Sequence, residues 1–331
     1  MDTIYFTKSQ EDIQKAAEII KAGGLVAFPT ETVYGLGADA LNKEAVEKVY
    51  KAKGRPSDNP MIVHIAKIQD VPRLSDQSSP QLQKLAEAFW PGPLTMVLKA
   101  KATVPRTTTG GLDTVAIRMP NSKETLKLIE KSGCCLAGPS ANLSGSPSPT
   151  TYLHVKADLD GRIDGIIMGD DSAVGIESTV LDLTGEEPQI LRPGYITREM
   201  LEMVLQRPVS YDPTLFKNPK DLGESFHPKA PGMKYKHYAP KAEMVIYQGE
   251  AAKVKAEIIR EEARLLKQGK RVETLIYESP KEAAQNLFAD LREADRKKVD
   301  VILAAALEEK ELGISVMNRM FKSAGYNIKK V

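Results

Sequence analysis

The sequence predicts an α/β protein of two domains: a large twisted mixed sheet with helices packed on it, followed by a smaller parallel sheet. Three observations carry this. The 331 residues exceed what one hydrophobic core usually organises. Short apolar runs alternate with amphipathic helical stretches from LVAF at 25–28 to TVLDL at 179–183. Beyond a proline-rich interruption the alternation turns regular, as βαβαβα.

In chain order the expected strands of the first domain are LVAF at 25–28, MIVHI at 61–65, TMVL at 95–98, TVAIRM at 114–119, CCLAG, IDGIIM at 163–168 and TVLDL at 179–183. Helices between them carry their own start signals. Ser79 followed by Pro80 precedes the one-face stripe Leu82, Leu85, Ala86 and Phe89, which ends at the turn Trp90-Pro91-Gly92-Pro93. Between 207 and 240 lie six prolines and no convincing helix, so 1–206 reads as one domain and 207–240 as a linker. In 241–331, MVIY, a helix from about 250 to Gly269, ETLIY, a helix opened by the capping box Ser279-Pro280-Lys281-Glu282, VDVILAAA and a last helix to Gly325 predict a Rossmann-like parallel sheet.

Composition narrows the function. Apolar residues make up 42% and charged residues 27%, which suits a globular chain and not a disordered one. With net charge +2, no strong overall field draws the protein to nucleic acid or an acidic membrane. The N-terminus lacks the cationic start and apolar run of a signal peptide, and no run reaches membrane-spanning length, so a cytoplasmic protein is expected. Cys134 and Cys135 are adjacent, where a disulfide would be strained, and the four histidines show no metal-ligand spacing.

The stretch FPTETVYGLGADA at 28–40 joins a strand to a helix starting near Asn42. Glycines 35 and 37 with the hydroxyls of Thr30 and Thr32 fit a backbone that approaches an anion and presents N–H and O–H donors; a merely ordered loop is the competing reading. Gly35-x-Gly37-x-x-Ala40 with Asp58 mimics a dinucleotide fingerprint, but its first glycine follows the strand too late. Further on, Val46, Val49, Tyr50 and Lys53 share the inward stripe of one helix, so the Lys53 amine aims toward the sheet, and Arg55 follows Gly54. These two cations suit phosphate or carboxylate, or else simply answer the helix dipole.

Three more features place polar residues in or after apolar strands. His64 interrupts MIVHI and is as readily a hydrogen-bonded core residue as a ligand contact. Arg118 in TVAIRMP requires an anionic partner, either a bound carboxylate or a structural Asp or Glu. GPSANLSGSPSPT at 138–150 leaves its strand with Ser140, Asn142 and Ser144 as a second donor-rich loop, while Ser178 opens a strand and Arg192 ends one.

Together FPTETVYGLG, KGRPSDNP, HI, DTVAIRMP, PSANLSG, GIEST, LRPG and APGMKYKHYAP resemble the threonylcarbamoyl-AMP synthase family in its two-domain form, a YrdC-like catalytic domain followed by a Rossmann-like one. The resemblance runs in order from about residue 5 to 240, and GISVMNRMFKSAGY is similar to the family's closing helix. It implies that L-threonine, bicarbonate and ATP, with Mg2+ on the phosphates, become threonylcarbamoyl-adenylate and pyrophosphate, for later transfer to tRNA by downstream machinery. It implies that Thr30, His64, Arg118, Gly138 and Ser178 hold threonine. Lys53, Arg55, Asn59, Thr114, Ser140, Asn142, Arg192 and Tyr238 would hold ATP, with Lys53, Arg55, Ser140 and Asn142 serving the chemistry. The residues of 230–240 themselves, with two prolines, two lysines, a histidine and Tyr238, suit a lid over the ATP site, or else a segment packed only against the second domain. An RNA-binding module, or another carbamoyl or adenylyl transferase on the same fold, are the alternatives; direct tRNA binding stays open.

Overall fold

The computed structural model describes residues 2–216 and 237–331. These form two compact units, one holding 2–144 and 148–216, the other Gly145–Pro147 and 237–331.

The first unit opens with β1 (Ile4–Phe6), α1 (Gln10–Lys21), β2 (Val26–Phe28), β3 (Gly35–Asp39), α2 (Lys43–Lys53) and β4 (Ile62–His64). There follow a 3-10 turn (Ile68–Arg73), α3 (Pro80–Phe89), β5 (Leu94–Lys99), the single turn α4 (Arg106–Thr109), β6 (Thr114–Arg118), α5 (Lys123–Ser132) and β7 (Leu136–Ala137). The unit continues through α6 (Tyr152–Leu159), β8 (Gly165–Ile167), β9 (Thr179–Asp182), β10 (Gln189–Arg192), α7 (Arg198–Leu205) and β11 (Ser210–Tyr211). Its eleven strands make one mixed sheet in the order β1-β8-β2-β3-β7-β4-β6-β5-β9-β10-β11.

The helices begin where short polar side chains satisfy their first N–H groups. Asn42 accepts from Ala45 N, Ser79 accepts from Leu82 N with Pro80 at the first helical position, and Gly54 ends α2 in the left-handed conformation at φ 63°. Alternation along the strands then sorts the side chains between two faces. One face is covered throughout: Ala27, Val63, Val115, Ile117, Leu94, Met96 and Leu98 pack with α2, α3, α6 and α7. The other is divided. Val26, Phe28 and Ile167 pack under α1 and α5, whereas Ile62, Val97, Ala116, Val180 and Leu191 form a small cluster of their own.

Two expectations change. The segment 28–40 is not one long loop, because Gly35–Asp39 returns as β3, antiparallel to β2. The glycines are there for an aromatic ring: a Cβ would come within 2.5 Å of the Phe28 ring at Gly35 and 2.9 Å at Gly37. The first unit also runs past 206, since β11 lies parallel to β10. Its two residues sit between Pro208 and Pro213, and prolines flanking a short edge strand read as linker in sequence. Most of the segment 207–240, including 230–236 of the expected lid, lies outside the described residues.

The second unit carries β12 (Glu243–Gln248), α8 (Ala251–Lys267), β13 (Val272–Leu275), α9 (Pro280–Arg296), β14 (Val301–Ala305), α10 (Leu312–Ser323) and β15 (Ile328–Lys330). All pairs in its sheet β13-β14-β12-β15 are parallel. The fourth strand is an addition to the expected βαβαβα, and its exposed Ile328–Lys330 has no apolar pattern to reveal it. At α9, Ser279 accepts from Glu282 N as the capping box requires, but Glu282 Oε2 accepts from Glu278 N, one residue before the cap. Within this unit Ala239 N donates to Gly145 O at 2.9 Å and Arg292 to Pro147 O at 2.6 Å. No helix among the described residues is long and apolar enough to cross a membrane.

Candidate functional site

The face of the first sheet that carries the small apolar cluster also carries a group of buried polar side chains. His64 and Arg118 are neighbours in the parallel ladder of β4 and β6, two residues beyond the Ile62–Ala116 level and so on the same face. Thr95 joins them from β5, two residues before Val97, and its hydroxyl lies 2.8 Å from that of Ser178. Arg192, at the end of β10, donates through Nε and NH2 to Ser178 O at 3.1 and 3.0 Å and through NH2 to Ser178 Oγ at 3.1 Å. Thr114 shares the face but opens β6, so about 13 Å of strand and the apolar floor separate it from Arg118.

Arg118 is 3% exposed. Nε donates to Gly92 O at 3.2 Å and NH1 to Thr32 Oγ1 at 2.9 Å. NH2 stands 2.8 Å from Glu31 Oε1, out of line for a hydrogen bond, so both atoms are buried with no hydrogen-bond partner. The structural carboxylate that sequence reasoning set against a bound one is therefore present, and it is Glu31. Thr30 folds onto its own loop, donating to Val33 O at 2.6 Å and accepting from Thr32 N and Val33 N.

His64 is fully buried. Burial first, and the Arg118 charge second, push its pKa down to about 3, so the ring is neutral at physiological pH. Its Nδ1 is a buried atom with no hydrogen-bond partner. The Phe28 ring meets the imidazole edge-on at 5.3 Å. Gly138 leaves room for both, since a Cβ there would come 2.8 Å from Phe28 Cζ and 2.9 Å from His64 Nδ1, and its N–H donates to Ile62 O at 2.8 Å.

A second group gathers where α2 ends. Lys53 is 2% exposed, as its place on the α2 stripe predicts. Its ammonium donates to Ser140 O and Asn142 O, and Lys53 O accepts from Ser144 N at 2.9 Å, so the loop after β7 is tied to the helix. That loop also runs along β3 through Leu36 N to Pro139 O and Ala141 N to Tyr34 O, both at 2.8 Å. Arg55 donates to Asn59 O at 3.3 Å and Pro60 O at 2.9 Å, while the buried Asn59 Oδ1 has no hydrogen-bond partner.

The fold thus collects Thr30, His64, Arg118, Gly138, Ser178 and Arg192 at one end of the strands, and Lys53, Ser140 and Asn142 at the loop beside β3. Thr114 stands apart from the first group. Tyr238, in the second unit, is 4% exposed at φ 63°, with its ring 5.1 Å from that of Phe288 on α9. Sequence reasoning did not assign Glu31 or Thr95. Thr95 left a trace as the polar residue opening an apolar run; Glu31 left only its place between two threonines. Cys134 and Cys135 are free and buried, and burial pushes both thiols up to about 11. No group of three or more His, Cys, Asp and Glu among the described residues is arranged to hold a metal ion.

Buried guanidinium and ammonium groups, with unsatisfied polar atoms between them, are the equipment of an enzyme that brings anionic substrates together. Comparison with known proteins gives its kind. Residues 18–194 match the family described as Telomere recombination (Sua5, YciO, YrdC), and 196–325 match Threonylcarbamoyl-AMP synthase, C-terminal domain. Threonylcarbamoyl-AMP synthase of Pyrococcus abyssi is 47% identical, covering 96% of this chain and 96% of its own. That of Bacillus subtilis is 44% identical over 95% of this chain and 93% of its own. The crystal structure of P. abyssi Sua5 complexed with L-threonine matches with a TM-score of 0.93 at 46% identity, covering 100% of each chain. The chain belongs to the threonylcarbamoyl-AMP synthase family, and it is a nucleotidyltransferase.

Proposed function

We propose that this chain converts L-threonine, bicarbonate and ATP to threonylcarbamoyl-AMP, pyrophosphate and water, supplying the carbamoyl donor for a tRNA adenosine. The observation that carries this reading is the set of buried, unsatisfied polar atoms at one end of β4 and β6: Arg118 NH2, Glu31 Oε1 and His64 Nδ1. Such atoms are costly in a native interior and are expected where a polar ligand completes them. The P. abyssi relative is described with L-threonine bound, which fits a small amino acid at this place.

In this reading Arg118, with Thr30, Ser178 and neutral His64, holds threonine, and the main chain near Gly138 closes the other side. The amine forms a bond to the carbon of bicarbonate, water leaves, and a carbamate results. A carbamate oxygen then attacks the α-phosphorus of ATP and the bond to pyrophosphate breaks. Each step crowds anions together, so the chain's part is positioning and positive charge: Lys53, Arg55 and Arg192, with Asn59, Thr114, Ser140, Asn142 and Tyr238, serve the nucleotide. Mg2+ bound to the ATP phosphates would neutralise charge there, beside Lys53, Arg55 and Arg192. The synthesised adenylate passes to downstream machinery.

The experiment is pyrophosphate release by the full chain. Release is expected only with ATP, Mg2+, bicarbonate and L-threonine together. Full-rate release without threonine would overturn the reading.

A further inference from the structure

The ion pair between Arg118 and Glu31 is unusual in its bonding. Arg118 is buried and Glu31 partly so, their side chains 4% and 12% exposed, and their facing atoms are 2.8 Å apart. Yet neither Arg118 NH2 nor Glu31 Oε1 has a hydrogen-bond partner. A pair that served only stability would align its fork with the carboxylate, because a buried pair is repaid only by good geometry. The remaining atoms are anchored in other directions: Arg118 by Gly92 O and Thr32 Oγ1, Glu31 Oε2 by Asn121 N at 3.1 Å, and Glu31 O by Val174 N at 2.8 Å. One donor and one acceptor are therefore left side by side, each held from behind.

The chemistry that completes both at once is a ligand presenting an acceptor and a donor from adjacent groups. An α-amino acid does this, since its carboxylate and ammonium stand on one carbon. A simple carboxylate would satisfy Arg118 NH2 and leave Glu31 Oε1 facing a second anion. We infer that Glu31 is a specificity-determining residue for the amino acid, receiving its α-ammonium while Arg118 receives the carboxylate. This rests on the reading that the site binds threonine. In that role Glu31 selects amino acids over hydroxy acids.

The test is calorimetric titration of the full chain with L-threonine and with 3-hydroxybutanoate, which keeps threonine's hydroxyl and carboxylate and lacks its amine. Wild type is expected to prefer threonine by about tenfold or more, the scale of one charge-assisted hydrogen bond. Glu31→Gln is expected to reduce that preference to within about threefold, chiefly by weakening threonine, and Arg118→Gln to weaken both ligands. A Glu31→Gln protein that keeps the wild-type preference, or that binds threonine more tightly, overturns the inference; the second result would make Glu31 a competitor for the guanidinium. Should Glu31→Gln not fold, the wild-type titrations decide alone, and equal affinity for the two ligands overturns it. Failure of wild type to bind threonine at all would instead sink the threonine site itself.

Discussion

His64 stands directly beside Arg118 in the parallel ladder of β4 and β6, and the guanidinium adds to burial in holding the imidazole uncharged. A ring with a pKa near 3 does not exchange protons at neutral pH. It stands as a neutral polar wall, packed edge-on against Phe28, with Nδ1 buried and without a hydrogen-bond partner.

That depressed pKa makes stability depend on acid. An unfolded histidine titrates near about 6.5, so below that pH the unfolded chain takes up a proton that folded His64 refuses until about pH 3. The stability contributed by neutral His64 is complete above about pH 6.5 and is lost as pH falls toward the folded value, at up to about 1.4 kcal/mol per pH unit. Urea unfolding of His64→Gln is expected to show a shallower pH dependence than wild type between about pH 6 and about pH 4. Carboxylates titrating in the same window cancel in the comparison. Equal slopes for the two proteins would mean that the buried imidazole titrates normally.

Gly35 and Phe28 form a second dependent pair. A Cβ at Gly35 would lie 2.5 Å from Phe28 Cζ, so Gly35→Ala forces the ring out of its packing with His64. Overpacking of this kind costs about 1–3 kcal/mol. Phe28→Leu also destabilises alone, by removing part of the ring, but the double variant is expected to be more stable than the sum of the two losses. Chemical denaturation of the four proteins measures the coupling. Strict additivity would show that the ring is not what the glycine accommodates.

Much of the fold is legible because its elements carry local signals. Apolar runs mark β2, β4, β5, β6, β8 and β9, and Asn42, Ser79 and Ser279 announce the helices they cap. β3 escapes because its glycines answer to Phe28 on the neighbouring strand, a contact no window of sequence contains. The site divides in the same way. Arg118 is conspicuous as a cation in an apolar strand, whereas Glu31 acquires meaning only when the sheet brings it to the guanidinium. Lys53 is intermediate: helical periodicity turns it inward, but that its ammonium is tied to carbonyls of the loop after β7 depends on the tertiary fold.

Lys53 should accordingly matter to both loop and nucleotide. Lys53→Met keeps the apolar stem and leaves the carbonyls of Ser140 and Asn142 without that donor. The expected cost is about 1–3 kcal/mol, which for a domain of this size lowers Tm by several degrees. Loosening of the loop that carries Ser140 and Asn142 is expected to raise KM for ATP more than KM for threonine. A Tm loss with both KM values unchanged would confine Lys53 to structure.

Tyr238 supplies the sharpest separation of structure from function in the second unit. Its ring lies 5.1 Å from Phe288, so the aromatic face is engaged within the unit, while the resemblance assigns the residue to ATP. These roles reside in different atoms: the ring packs, and the hydroxyl is what would reach a nucleotide. Tyr238→Phe preserves the ring and is expected to raise KM for ATP about three- to tenfold, the value of one hydrogen bond. Tyr238→Ala is expected to add a fall in Tm, since a ring only 4% exposed is lost from its place against Phe288. Steady-state kinetics of the full chain in both variants, beside their melting curves, distinguishes the contributions. If Tyr238→Phe matched wild type in KM for ATP, the residue would be a packing element of the second unit and the nucleotide assignment would fall.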